Sequence, residues 1–378
     1  MTLFTAASIL ICGANGLDSS GMPLDSITRG LSPYDTTQAS ETGTALVIET
    51  SVPILIENLK ITGGNANYQN GSLINNHDNG GGLQVNSGAV VSLGNGTVII
   101  GNMAKYGGGV YNEGTLCLFG SAVVGNPSAS SVASGYDSSD VSANYGSSYG
   151  VGIYNDGVLC LAYKSFTSFF DNKVSELTGG ILFNYTPQGG GIYNTATGQV
   201  YISSGNIKYN ADDGSSSGGG GLMNCGIASM SGGTIYKNAA KSGGGVYLAA
   251  NSTFSLGGGF IKENSALNSG GAVYVASDTS YFSLASNADI PATNSVVDSN
   301  ELNTVFLNGS ATLTITNALS ESLGKIWIRM ASYTNNREVL KLAEGTDVDL
   351  ASQIDRFGII CPMCTSYSLS SEGQLTAN

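Results

Sequence analysis

The feature that most narrows what this chain can fold into is a short unit that keeps returning: a glycine run, an aliphatic residue, a tyrosine and an asparagine. It stands at Gly107-Gly108-Gly109-Val110-Tyr111-Asn112, Gly150-Val151-Gly152-Ile153-Tyr154-Asn155 and Gly189-Gly190-Gly191-Ile192-Tyr193-Asn194. Shorter forms are Gly243-Gly244-Gly245-Val246-Tyr247 and Gly270-Gly271-Ala272-Val273-Tyr274, and weaker copies start at Gly80 and Gly219. Successive starts lie 27, 43, 39, 30, 24 and 27 residues apart, so the shorter values describe one unit and the two long ones that unit plus an insertion. A second mark precedes the glycines: Ile99-x-x-Asn102, Phe169-x-x-Asn172, Ile207-x-x-Asn210, Ile235-x-x-Asn238 and Ile261-x-x-Asn264. Self-similarity at such a period is the signature of a repeat architecture.

Between the marks lie runs such as Thr115-Leu116-Cys117-Leu118 and Gln199-Val200-Tyr201-Ile202, which alternate with period two and are broken by Gly and Asn. They read as short strands, and no helical period survives over ten residues. A unit of this length cannot bury its own apolar face, but stacked copies can, each coil rising about 4.8 Å, the strand-to-strand spacing. The expected fold is therefore all-β, a single-stranded right-handed parallel β-helix with capped ends. A propeller is the rival, but it needs about 40 residues per blade. The expected organisation is N-terminal coils over residues 1–45, repeats over 46–295, and final coils with a cap over 296–378. Insertions are expected at 126–149 and 173–188.

The Gly270-Gly271-Ala272-Val273 and Phe169-x-x-Asn172 marks resemble the repeats of bacterial polymorphic outer-membrane and autotransporter passenger proteins. Ile56-Glu57-Asn58-Leu59-Lys60-Ile61-Thr62-Gly63-Gly64-Asn65 is likewise similar to an early coil of bacterial surface β-helix repeats. The resemblance, over roughly residues 45–290, implies a β-helix at a cell surface, with adhesion among its roles.

Acidic residues outnumber basic ones 27 to 14, for a net charge of −13. Such a chain repels nucleic acid and anionic surfaces, so a neutral polysaccharide is the expected partner and nucleic acid is not. No apolar run is long enough for a membrane-spanning helix. Met1 to Ala14 is mildly apolar without preceding Lys or Arg, and reads as a first strand rather than a signal peptide. Secretion or surface display is expected, with the export signal outside this chain, and a monomer. Six cysteines are too scattered for a disulfide framework, and Cys361-Pro-Met-Cys364 lacks the second pair of a zinc site. No cofactor or metal is expected. His77, the one histidine, reads as a polar loop residue.

The chemistry is expected where the repeat repeats. With Val110 and its equivalents inward, the next residue points out, stacking Tyr111, Tyr154 and Tyr193 as a platform for sugar rings. Asn112, Asn155 and Asn194 follow as candidate substrate contacts, with Tyr136 and Tyr185 added from the insertions. Glu113 and Asp156 each stand in Tyr-Asn-acid-Gly, one strand spacing apart if their units stack. Carboxyls about 5 Å apart suit a retaining glycosidase and about 6.5–9.5 Å an inverting one. The expected function is thus an extracellular β-helix engaging polysaccharide of β-glucan or xylan type, in its sharper form a glycoside hydrolase using Glu113 and Asp156. The alternative is a non-catalytic surface adhesin or passenger that binds host or biofilm glycans.

Overall fold

A computed structural model describes residues 8–19, 22–28, 43–66, 68–69, 72–73, 79–128, 130, 143–162, 176–186, 189–212, 218–296, 301–302, 304–321, 324–361 and 367–377. The chain is a parallel β-helix. Each central coil runs through four short strands, exemplified by Val110–Asn112, Thr115–Leu118, Val123–Gly125 and Tyr145–Tyr149. Stacked copies of these make four faces, called here faces 1 to 4 in that order.

Among the described residues face 1 has eleven parallel strands, from Leu46–Ile48 to Phe357–Ile359. In its three-residue strands the first and third residues point in and the second out, as pleating requires. Val110, Ile153 and Ile192 are fully buried, and so are Asn112, Asn155 and Asn194. Face 2 contributes alternate leucines and valines to the same core, among them Leu116, Leu118, Leu159, Leu161 and Val200. Face 3 sends in one residue per coil, and Ile61, Ile99, Val124, Ile181, Ile207, Ile235 and Ile261 stack in register without exposure above 1%. Strands Thr253–Lys262 and Tyr281–Asp289 run on from face 2 into face 3, which joins the two into one sheet. Face 4 packs small residues inward, including Ala104, Ala240 and Ala266.

Two buried amide ladders follow from the repeat. At the corner of faces 3 and 4, Asn102, Asn144, Asn184, Asn210, Asn238, Asn264 and Asn294 pass side-chain hydrogen bonds from coil to coil at 2.9–3.2 Å. At the end of face 1, Asn112, Asn155, Asn194 and Asn224 do the same at 2.7–2.8 Å. Every member is fully buried, and within each ladder the amides are satisfied by their own copies, which is what makes their burial tolerable; the exception is the Asn112 oxygen at the end of its ladder. The residue before a corner asparagine turns left-handed, as Tyr209, Lys237 and Glu263 do with φ of 60°, 51° and 53°. The glycine runs serve the corner of faces 4 and 1. Gly107 has φ 62°, and a Cβ there would sit 2.1 Å from the Val110 carbonyl oxygen.

The coils continue in parallel through Ile326–Met330, Leu340–Leu342 and Phe357–Ile359. Two arginines then hold carbonyls that no further coil pairs: Arg337 donates to Ser332 and Ala311, and Arg356 to Glu321 and Gly324. An antiparallel pair, Tyr367–Leu369 with Leu375–Ala377, completes this end. Cys361 is disulfide-bonded, whereas Cys12, Cys117, Cys160 and Cys225 are free thiols. His77 and Cys364 lie outside the described residues.

The insertion boundaries differ from the expected ones. Tyr145–Tyr149 pairs with Met103–Tyr106, so the stack resumes before residue 149. Gly180–Leu182 and Tyr185–Thr186 are likewise stacked strands rather than insertion. In that coil Ile181-x-x-Asn184 fills the second mark and Asn184 supplies the ladder amide, while Phe169 and Asn172 lie outside the described residues. The second excursion therefore begins soon after Leu161, between faces 2 and 3.

Candidate functional site

The tyrosine column forms as its spacing implies, with a consequence the spacing does not reveal. Tyr111, Tyr154 and Tyr193 stack on one another at centroid separations of 5.1 and 5.4 Å, with 9° between planes in each pair. Tyr106 and Tyr149 pack against the same column at 5.3 and 4.9 Å. Beyond Met223 the column resumes as Tyr247, Tyr274 and Phe306 at 5.0 and 5.1 Å. Rings stacked face to face have spent their faces on each other, leaving edges toward solvent. Burial lifts the Tyr154 phenol to about 12, with the Asp156 carboxylate adding to the shift. Burial also raises Tyr111 and Tyr193, assisted by Glu113 and by Cys225 respectively.

Asn112, Asn155 and Asn194 leave the candidate surface altogether. They are fully buried rungs of a ladder, and an amide with no solvent exposure contacts no bound polymer. The alternation in Val-Tyr-Asn carried this signal, because the third residue of such a strand faces the same way as the first. Tyr185 is half-buried on face 4, in register with Tyr145 and remote from the face 1 column. Tyr136 lies outside the described residues.

Glu113 and Asp156 do stand at one corner in adjacent coils, since Asn112 pairs with Asn155 and Thr115 with Val158. Each carboxylate already has a local partner. Tyr111 donates its hydroxyl to Glu113 at 3.3 Å. One oxygen of Asp156 accepts from both Thr195 and Thr197 hydroxyls, in the turn one coil further on. The two insertion bases open elsewhere.

They open at face 3. The first leaves the stack after Gly125, and Pro127 turns over the sheet there; the second rejoins it at Thr178-Gly179. Between these two points lies a groove of about 350 Å³, within the lower range for ligand sites. Val98, Val123 and Leu182 make its floor, with Leu17, Ser121 and Thr178 at its margins and Lys208 at one end. Along the helix axis the outward column then reads Leu182, Lys208, Tyr236, Lys262 in consecutive coils. Phe260 stands beside it, 44% exposed. Lys208 lies over the Tyr209 ring at 5.3 Å, Lys237 over Tyr236 at 4.9 Å, and Lys262 over Tyr236 and Phe260 at 5.6 and 5.3 Å. Sequence reasoning missed this row, although the residue after each Ile of the second mark is an outward position and carries Lys208, Tyr236 and Lys262.

Among the described residues no three His, Cys, Asp or Glu side chains gather as metal ligands, and no helix is long and apolar enough to cross a membrane. No family model, curated protein or solved structure matches the chain.

Proposed function

We propose that this chain is a secreted or surface-displayed β-helix that engages polysaccharide along face 3 without cleaving it. The observation that carries the reading is the groove between the two insertion bases, extended across three further coils by a row of aromatic and cationic side chains. Loops that interrupt a rigid scaffold are where binding surfaces concentrate, and here both interruptions flank one face. A long shallow surface with a fixed axial repeat suits a linear polymer better than a compact solute.

Hydrolysis is the second reading, favoured by the stacked pair Glu113 and Asp156. Against it, both carboxylates accept hydroxyl hydrogen bonds, and the described groove lies on another face. One experiment separates the two: sedimentation with insoluble polysaccharides, beside reducing-sugar release by wild type, Glu113→Gln and Asp156→Asn. Binding is expected without release, and Leu17→Asp, which sets a carboxylate at the groove margin, is expected to weaken it. Release lost in both acid variants would establish the hydrolase and refute the binding-only reading.

A further inference from the structure

The charge along face 3 narrows the ligand, and we infer that the polymer is acidic: a linear polysaccharide bearing one carboxylate or sulfate per short repeat, lying along the helix axis over Lys208 and Lys262. This rests on the proposed engagement of glycan by face 3 and reverses the expectation of a neutral one. The chain carries net −13, yet the described strand positions of face 3 from Val98 to Asp289, with their corner to face 4, hold three lysines, Lys208, Lys237 and Lys262, against two acids, Glu263 and Asp289. Glu263 is 3.7 Å from Lys237 and offsets that lysine, while half-buried Asp289, in register with Phe260 one coil on, lies within electrostatic reach of both Lys262 and Arg356. Glu176 is exposed at the opposite corner, toward face 2.

The aromatic residues set how the row presents itself. Each ring carries an ammonium over its face, so Tyr236, Tyr209 and Phe260 hold cations in place instead of offering a bare surface to a sugar. Lys208 and Lys262 occupy the same outward column two coils apart, which is about 9.6 Å from the strand spacing. That is roughly the length of a disaccharide, so alternate sugars of an extended chain would meet successive ammoniums. The groove beyond Lys208 gives the polymer's apolar faces exposed Leu17 at its margin, over a floor of largely buried Val98, Val123 and Leu182. A nucleic acid fits less well: its charges recur every ~1.7 Å along a duplex, far denser than two lysines can neutralise on an acidic protein.

The test is retention of the whole chain on immobilised alginate, uncharged dextran and duplex DNA, at low and at physiological salt. Lys208→Gln/Lys262→Gln is compared with wild type, and Lys341→Gln, on face 2 near the C-terminal end, serves as the control. Wild type should be held by alginate and not by DNA, with retention falling as salt rises. The double variant should bind about tenfold more weakly, the effect of two exposed ion pairs, and the control should match wild type. Far-ultraviolet circular dichroism on each variant guards against misfolding. Dextran binding that ignores both lysines would overturn the acidic ligand while leaving glycan engagement standing. Retention on neither glycan would overturn both, and retention on DNA through Lys208 and Lys262 would reassign the face to nucleic acid.

Discussion

The side-chain amide of Asn112 donates to the carboxamide oxygen of Asn155 one coil away at 2.7 Å, while its own oxygen, equally buried, receives no hydrogen bond. The ladder ends there because the preceding coil carries Val85 at the register position of Asn112. An orphan acceptor of this kind costs about 1–3 kcal/mol.

Val85→Thr places a hydroxyl donor beneath that oxygen with little change of shape. The variant is expected to be more stable than wild type by about 1 kcal/mol in denaturant unfolding. Val200→Thr is the comparison, since Val200 packs in the apolar core, and there the hydroxyl should cost about 1–3 kcal/mol. Equal losses in the two variants would show that the Asn112 oxygen is not waiting for a donor.

The stacked tyrosines make stability sensitive to alkali. The Tyr154 phenol, at about 12 in the fold against an ordinary 10.0, keeps its proton when folded at pH values where the unfolded chain has begun to lose it. The associated stability is whole below pH 10 and drains away as pH climbs toward 12; Tyr111 and Tyr193 push in the same direction. Unfolding midpoints measured from pH 8 to 12 should fall, and Tyr154→Phe should flatten the fall. A midpoint indifferent to pH over that span would contradict the burial of these phenols.

Glycines of similar backbone angle differ sharply in what they tolerate. Gly88, with φ 81°, has open space where a Cβ would go, so Gly88→Ala should cost about 1 kcal/mol, the penalty of a left-handed alanine. Gly107, with φ 62°, would drive that carbon into the Val110 carbonyl. Gly107→Ala should cost at least ~3 kcal/mol, because both strain and a backbone shift are required. Comparable melting temperatures for the two variants would refute the crowding at the glycine corner.

Asp156 behaves in this structure as a turn-binding residue, gathering Thr195 and Thr197. Asp156→Ala is expected to lose about 1–3 kcal/mol of stability through the hydrogen bonds to a charged group. Its retention on glycan should be unchanged. Weakened binding at full stability would return this corner to the functional surface.

Much of the architecture was legible because a stacked coil repeats its demands: an inward aliphatic, a buried amide and a glycine corner each recur at one register. Tyr111 and Tyr154 could be aligned by eye for that reason. What the repeat could not show was that neighbouring rings satisfy one another, since a column of tyrosines reads alike whether its faces are free or spent. Asn184 escaped because an excursion displaced it from the count, and Phe169-x-x-Asn172 imitated its mark. The pair Lys237 and Glu263 is a surface ion pair, and its 3.7 Å separation with both side chains exposed agrees with a contribution below about 1 kcal/mol. The lysine row was hidden by distance, because residues 208 and 262 are brought together only by two intervening turns of chain.

The coil-to-coil identity of the buried amides has a bearing on how such a chain changes length over generations. Excision of residues 219–242, one shortest unit, would bring Asn210 against Asn264 and Ile207 against Ile261, pairs chemically the same as those they replace. Tyr193 would meet Tyr247 without the intervening Met223. Unequal crossing-over within the repeats thus produces shorter or longer descendants whose interiors already match. Insertion and deletion of whole turns become as tolerable to this molecule as point changes are to a globular one.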